Sequence, residues 1–196
     1  MNIKKNQQYQ TTDLAIQSYL LELIKEKTLN SITVSEICKH LGINRSSFYL
    51  HYQDVYDLMD KIIVKYLGQI HEELTNVAEK TDDYKLALVL VARHIKNNQD
   101  FYIAYFNYIV PAQLEKTFKE MIYKIFLPEL NAVGVYSDYK IEYHFVFVMN
   151  GILAMFRCWL ANKCKEPPEE IVKLIMQTMS ASSDYIRLKN QKESTL

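Results

Sequence analysis

Apolar residues recur at three- and four-residue spacing through most of this chain, which is the period of an amphipathic helix. Ile16, Leu20, Leu23 and Ile24 share one helix face, Thr12-Asp13 can cap it, and it should run to about Lys27. Residues 1–11 are polar and are expected to form a mobile arm. Thr33-Val34-Ser35-Glu36 reads as a capping box opening a short helix that ends at Leu41. Gly42 can take the positive φ that stops a helix and starts a sharp turn. Asn44 should cap a second short helix from Arg45 to about His51, and Asp54 a longer one reaching about Val77. Charged Glu79–Asp83 reads as a linker, followed by helical stretches near 84–97, 99–108, 112–127, 138–163 and 168–188. Pro111, Pro128 and Pro167-Pro168 fall at their borders, where proline is tolerated.

Composition supports an all-α chain. Glycine and proline number four each in 196 residues, well below usual usage of roughly 7% and 5%. Sheets with tight turns need more of both. The greasiest segment, Phe145–Ala161, is broken by Asn150, Gly151 and Arg157 and is too short to span a membrane. The start of the chain lacks a signal-peptide pattern. Cys38, Cys158 and Cys164 show no metal-ligand spacing and no C-x-x-C, so reduced thiols in a cytoplasmic protein are expected.

Two short helices around Gly42-Ile43-Asn44 describe a helix-turn-helix. Ile37, Leu41, Ile43 and Phe48 are spaced to form its small core, with Cys38 as a small packing residue. Arg45, Ser46, Ser47, Tyr49 and His51 should then be exposed on the second helix. Arginine can hold a guanine edge bidentately, and serine can reach bases or phosphate. Tyr49, His51 and Tyr52 suit phosphate oxygens, which fix register. The formal net charge is zero, with 23 basic and 23 acidic residues, so nothing global points to nucleic acid. Locally the balance differs: no acidic residue lies between Glu36 and Asp54, while Lys39, His40, Arg45 and His51 do. Two short helices and a glycine turn also occur in folds that never touch DNA.

The run Ser46-Ser47-Phe48-Tyr49-Leu50-His51-Tyr52, with Thr33–Ile37 and Gly42-Ile43-Asn44-Arg45 before it and Asp57-Leu58 after it, resembles the TetR/AcrR regulators. The likeness is strong over 12–62 and loose after 80, where Gly151-Ile152-Leu153, Trp159-Leu160 and Pro168-Glu169-Glu170 resemble the C-terminal helices of a subgroup common in Gram-positive bacteria. It implies a DNA-binding domain over 1–62 with three helices, and a helical regulatory and dimerisation domain over 63–196. It also implies a homodimer on an inverted-repeat operator in double-stranded DNA, and a small-molecule effector that usually releases it, as from a repressor. By position, Thr33, Arg45, Ser46, Ser47, Tyr49, His51 and Tyr52 would contact DNA. Two places depart from the pattern. Val55 stands where relatives carry a phosphate-binding lysine at the start of the fourth helix, and Gln10-Thr11 stand where relatives often carry basic residues.

In the C-terminal part, Phe147, Gly151, Ala154 and Cys158 form a stripe with small residues at its middle, and Ile171, Ile175, Thr178 and Met179 lie in similar register. Both stripes are candidates for a four-helix dimer interface, or else each faces its own core. Aromatic and methionine residues crowd 101–156. Tyr105, Phe118, Met121, Ile122, Phe145 and Met149 are candidate pocket residues, with His94 as a polar group, although such stripes also build ordinary cores. No cofactor and no metal are expected. An enzyme is disfavoured: no G-x-G-x-x-G, Walker loop or G-x-S-x-G occurs, and His71-Glu72 meets Thr75 where H-E-x-x-H needs a second histidine. A TetR-like adaptor or co-activator, binding a protein through its C-terminal domain, is the alternative.

Overall fold

The computed structural model describes residues 3–78, 84–108 and 138–179. These residues are all helical apart from turns and connecting segments. The helices are α1 (Ile3–Ile24), α2 (Val34–Leu41), α3 (Arg45–Tyr49), α4 (Val55–Ala78), α5 (Tyr84–Asn97), α6 (Gln99–Tyr108), α7 (Asp138–Ala161) and α8 (168–179). A single 3-10 turn, Leu29–Ser31, stands between α1 and α2. The stretch expected near 112–127 lies outside the described residues, as do Phe118, Met121 and Ile122. No helix among the described residues is long and apolar enough to cross a membrane.

The chain divides into two compact units. The first comprises Met1–Glu72 with Asn98–Tyr108, and the second Glu73–Asn97 with Ile109–Leu196. The break therefore falls inside α4, later than residue 62, and α6 joins the N-terminal unit.

In the first unit, α1 begins at Ile3, so the polar arm is helical. The Thr11 and Thr12 hydroxyls donate to the carbonyls of Gln7 and Gln8, at 2.9 and 3.0 Å, instead of capping a later start. Ile16, Leu20, Leu23 and Ile24 are buried as their spacing requires. α2 opens on Thr33, whose hydroxyl accepts from the Glu36 N–H at 3.2 Å. Only half of the capping box forms, because the Glu36 carboxylate goes to Lys27. Gly42 takes φ 64° and ψ 29°, and its N–H closes α2 on the Cys38 carbonyl. A side chain there would strain the backbone even though the surrounding space is open. α4 is capped by Asp54, whose carboxylate accepts from the N–H groups of Tyr56 and Asp57 at 2.8 Å, and the Asp57 carboxylate accepts from the N–H of the preceding residue, Gln53, at 2.9 Å. α6 packs on α1 through buried Phe101, Tyr102, Ala104 and Tyr105. Phe101 stacks on Tyr66 of α4 at 4.3 Å, and Lys25 pairs with Asp100 at 2.6 Å.

In the second unit, α5 packs against α7. Leu88, Val91, Ala92 and Ile95 of α5 are buried, as are Met149, Ile152, Phe156 and Trp159 of α7 and Ile171, Val172 and Ile175 of α8. α7 is followed by a turn with two positive-φ residues, Lys163 (58°) and Cys164 (46°), and the Cys164 N–H donates to the Trp159 carbonyl at 2.9 Å. Cys164 is buried in this turn and acts as a hydrophobic anchor. Pro168 then occupies the first position of α8, where its missing N–H costs nothing. Arg93 and Glu169 pair across α5 and α8 at 2.5 Å, but both are exposed and the pair adds little stability.

Candidate nucleic-acid interface

Ile37, Cys38 and Phe48 are buried at the α2–α3 corner, so the short helices share a core as their spacing predicts. Burial raises the Cys38 thiol above its usual range, with Arg45 opposing, which fits an inert packing thiol. With Phe48 turned inward, the opposite face of α3 is presented to solvent. Thr33, Arg45, Ser46 and Tyr49 are exposed, and Ser47 is half-buried. The Arg45 guanidinium reaches back to donate to Ser35 Oγ at the start of α2, at 2.6 Å. This contact joins Ser35 to the exposed face of α3, where the sequence pattern did not place it. His40, on the same side of the chain window, stacks on Tyr19 of α1 at 3.7 Å.

Two expected DNA contacts are corrected. Tyr52 is only 4% exposed. Its hydroxyl donates to Asp13 and accepts from Gln17 Nε2 at 3.0 Å, while Lys65 donates to Gln17 Oε1 at 2.9 Å. Gln17 Nε2 also donates to Asp13 at 2.8 Å, so the buried amide is satisfied on both ends. Tyr52 is therefore a structural pillar between α1 and α4. His51 is corrected for a related reason: its side chain is 3% exposed and lies beneath the Tyr9 ring, with centroids 3.9 Å apart. Its Nδ1 is 3.5 Å from Asp13 Oδ1, an electrostatic approach rather than a formed hydrogen bond. Burial lowers the imidazole pKa, against the opposing pull of Asp13, so His51 is neutral at pH 7 and adds no charge to this surface.

Burial, followed by the hydrogen bond to Asp13, pushes the Tyr52 hydroxyl well above its ordinary value, and burial alone pushes Tyr105 to about 12. Both groups are held protonated, against roughly 10 for an unfolded tyrosine. Their contribution to stability is whole below about pH 10 and is lost as pH rises through the raised folded values. Urea unfolding repeated between about pH 9 and 12 should show falling stability, and Tyr52→Phe should flatten the fall. An unchanged pH slope in that variant would count against the Tyr52–Asp13 link.

The other candidate residues lie beyond this corner. Tyr105 is fully buried among Phe101, Tyr102 and Phe106 in the first unit. His94 and Met149 are buried in the second unit, and the Phe145 side chain lies outside the described residues. On α7 the expected stripe faces outward: Phe147 is 68% exposed, and Gly151, Ala154 and Cys158 are exposed. On α8 the expected stripe is corrected. Ile171 and Ile175 are buried in their own unit and Met179 is half-buried, while Leu174 and Thr178 face outward. Among the described residues no cluster of His, Cys, Asp or Glu is arranged to hold a metal ion.

Comparison with known proteins agrees with this architecture. A TetR-type family model described as "Transcriptional regulator C-terminal region" matches residues 82–181, half of the chain. An HTH-type transcriptional regulator of Bacillus subtilis (strain 168), YxbF, is 24% identical over 169 residues, covering 83% of this chain. The matched part is 43% of that relative's length, so this chain spans less than half of it. Among solved structures, the fatty acid degradation regulator FadR from Bacillus halodurans superposes with a TM-score of 0.60 at 14% identity, covering 85% of this chain and 93% of that one. The dihydroxyacetone kinase operon activator DhaS gives 0.54 at 19% identity, covering 89% and 97%. These two likenesses concern the fold. The family match over 82–181, joined to the helix-turn-helix geometry of α2 and α3, shows that this chain belongs to the TetR family of transcriptional regulators.

Proposed function

We propose that the protein is a homodimeric repressor that reads an inverted-repeat operator with α3 in the major groove, and is released by a small apolar or aromatic effector bound in its C-terminal region. The observation that carries the DNA reading is the outward face of the α2–α3 corner. Arg45, Ser46 and Tyr49 are exposed on α3 and Ser47 is half-exposed, with Thr33 and Ser35 exposed at the start of α2, in a window free of carboxylates from Ile37 to Gln53. Arg45 supplies base recognition, the serines reach base edges or phosphate, and Tyr49 fixes register. The dimer is supported by the outward stripe on α7. The effector class is supported by the aromatic and methionine content of 101–156, a composition suited to apolar pockets.

Selection of bound duplex from a random pool tests this reading. It should enrich an inverted repeat with half-sites on one face of the DNA, about 34 Å or a multiple apart. Arg45→Ala should lower affinity for that duplex about 10- to 100-fold for each half-site and relax base preference at one position. A folded dimer that enriches no palindrome would overturn the proposal. A protein partner captured by the C-terminal unit, with no response to apolar compounds, would replace the effector by an adaptor role.

A further inference from the structure

α3 is five residues long, too short to hold its own shape. The Ser46 and Phe48 carbonyls are met by the backbone N–H groups of Leu50, His51 and Tyr52, but the carbonyls that follow need other donors. Here two of the carbonyls just beyond it are met by side chains from flanking helices. Lys61 Nζ, nearly two turns into α4, donates to the His51 carbonyl at 3.0 Å. Tyr9 of α1 turns its hydroxyl toward the Leu50 carbonyl at 3.4 Å, a long contact, and lays its ring on His51 at 3.9 Å.

The Lys61 ammonium has three hydrogens to place. Besides the His51 carbonyl it meets Asp57 Oδ2 at 2.9 Å and lies 5.2 Å from the centre of the Tyr52 ring. The same Asp57 carboxylate accepts from the Gln53 N–H at 2.9 Å, so Lys61 is tied into the cap of α4 as well as the end of α3. Its charge is thus paired with Asp57, while the side chain stays 54% exposed. This bears on the departure at Val55: the ammonium on this side of α4 meets the His51 carbonyl and the Asp57 carboxylate, where the family pattern would send a lysine to phosphate.

We infer that Lys61 and Tyr9 are positioning residues for DNA reading, gripping the end of α3 from α4 and α1 so that Arg45, Ser46 and Tyr49 are presented at a fixed angle. This inference rests on the proposed DNA reading, and its test separates the two. A residue that positions α3 should affect specific binding, because base contacts need the angle, while leaving the phosphate-driven, sequence-independent binding alone. A residue that touches phosphate should weaken both, and should lower the salt slope by about one unit per lysine lost.

The full-length chain with Lys61→Gln, Lys61→Arg or Tyr9→Ala would be titrated with the duplex recovered by selection and with a random-sequence duplex of equal length, at several salt concentrations. Amide hydrogen exchange over 45–52 would be followed without DNA. Lys61→Gln should lose about tenfold in affinity for the selected duplex, keep its affinity for the random one, keep its salt slope, and exchange faster at 48–52. Lys61→Arg should restore both affinity and protection, since it retains a charged donor. Tyr9→Ala should follow Lys61→Gln in direction. A salt slope reduced by about one in Lys61→Gln, with equal losses on both duplexes, would make Lys61 a phosphate contact and overturn the inference. If the wild type enriches no duplex, the DNA reading falls by itself. The exchange arm still decides the grip, which unchanged protection at 48–52 would overturn.

Discussion

Replacing Phe48 with alanine is expected to cost about 3–5 kcal/mol and to unravel the reading corner. Phe48 is wholly buried, and its ring packs edge-on against Tyr49 at 5.8 Å and tilted against Tyr52 at 5.7 Å. It is the one fully buried side chain of α3, so no neighbour on that helix can take over its role. The lost term combines removal of a large apolar group from water with the cavity left beneath α2. Against a total stability of about 5–15 kcal/mol for a typical domain, such a loss decides whether the corner is folded. Urea unfolding of the full chain is the measurement. Leu50→Ala is the control, because Leu50 is 74% exposed and its removal should change stability by less than about 0.5 kcal/mol. A Phe48→Ala cost below about 1 kcal/mol would mean that α3 is held by something other than its core.

The parts of this corner that were legible in the sequence are those fixed by neighbours a few residues away. The left-handed turn at Gly42 and the cap at Asp54 each depend on a single local backbone geometry, and both occur. His51 was misplaced because its cover, Tyr9, lies before the expected start of α1, and Tyr52 because its partners Asp13 and Gln17 are distant in sequence. Thr12-Asp13 read as a cap, but the Thr11 and Thr12 hydroxyls bond to carbonyls within a helix that has already begun. A signal was nevertheless present. Tyr9, Asp13, Ile16 and Leu20 repeat at four- and three-residue steps, so they share the face that meets Tyr52. Phe48 and Tyr52 are likewise four apart, which puts Tyr52 on the buried side. Lys61 gave no such signal, since a lysine on a polar helix face has the same pattern whether it meets solvent or a carbonyl. On α8 the two apolar faces compete: Ile175 packs inward and Leu174 outward, and periodicity alone does not say which one is kept for a partner.

If the proposed dimer forms through the outward α7 stripe, placing a carboxylate at its middle, by Ala154→Glu, is expected to give a folded monomer and to reduce affinity for the proposed inverted-repeat operator more than about 100-fold. α7 is 24 residues long, or about 36 Å, and presents Tyr143 (74% exposed), Phe147, Gly151, Ala154 and Cys158 to solvent. Large apolar side chains at one end and small ones at the centre suit close crossing of two helices, and Leu174 on α8 adds to the exposed apolar surface. In a two-fold interface each substitution occurs twice, so two carboxylates would be brought together and stripped of water, at a cost of several kcal/mol. Affinity for the inverted repeat would fall because each half-site would then be bound separately. Ile175→Glu separates this from simple misfolding. Ile175 is buried within its own unit, so that variant should lose helical signal and melt early, whereas Ala154→Glu should keep its helicity and sediment as a monomer at micromolar concentration. If Ala154→Glu sediments as an unchanged dimer, the α7 stripe is not the interface, and the pairing surface must be sought on other residues.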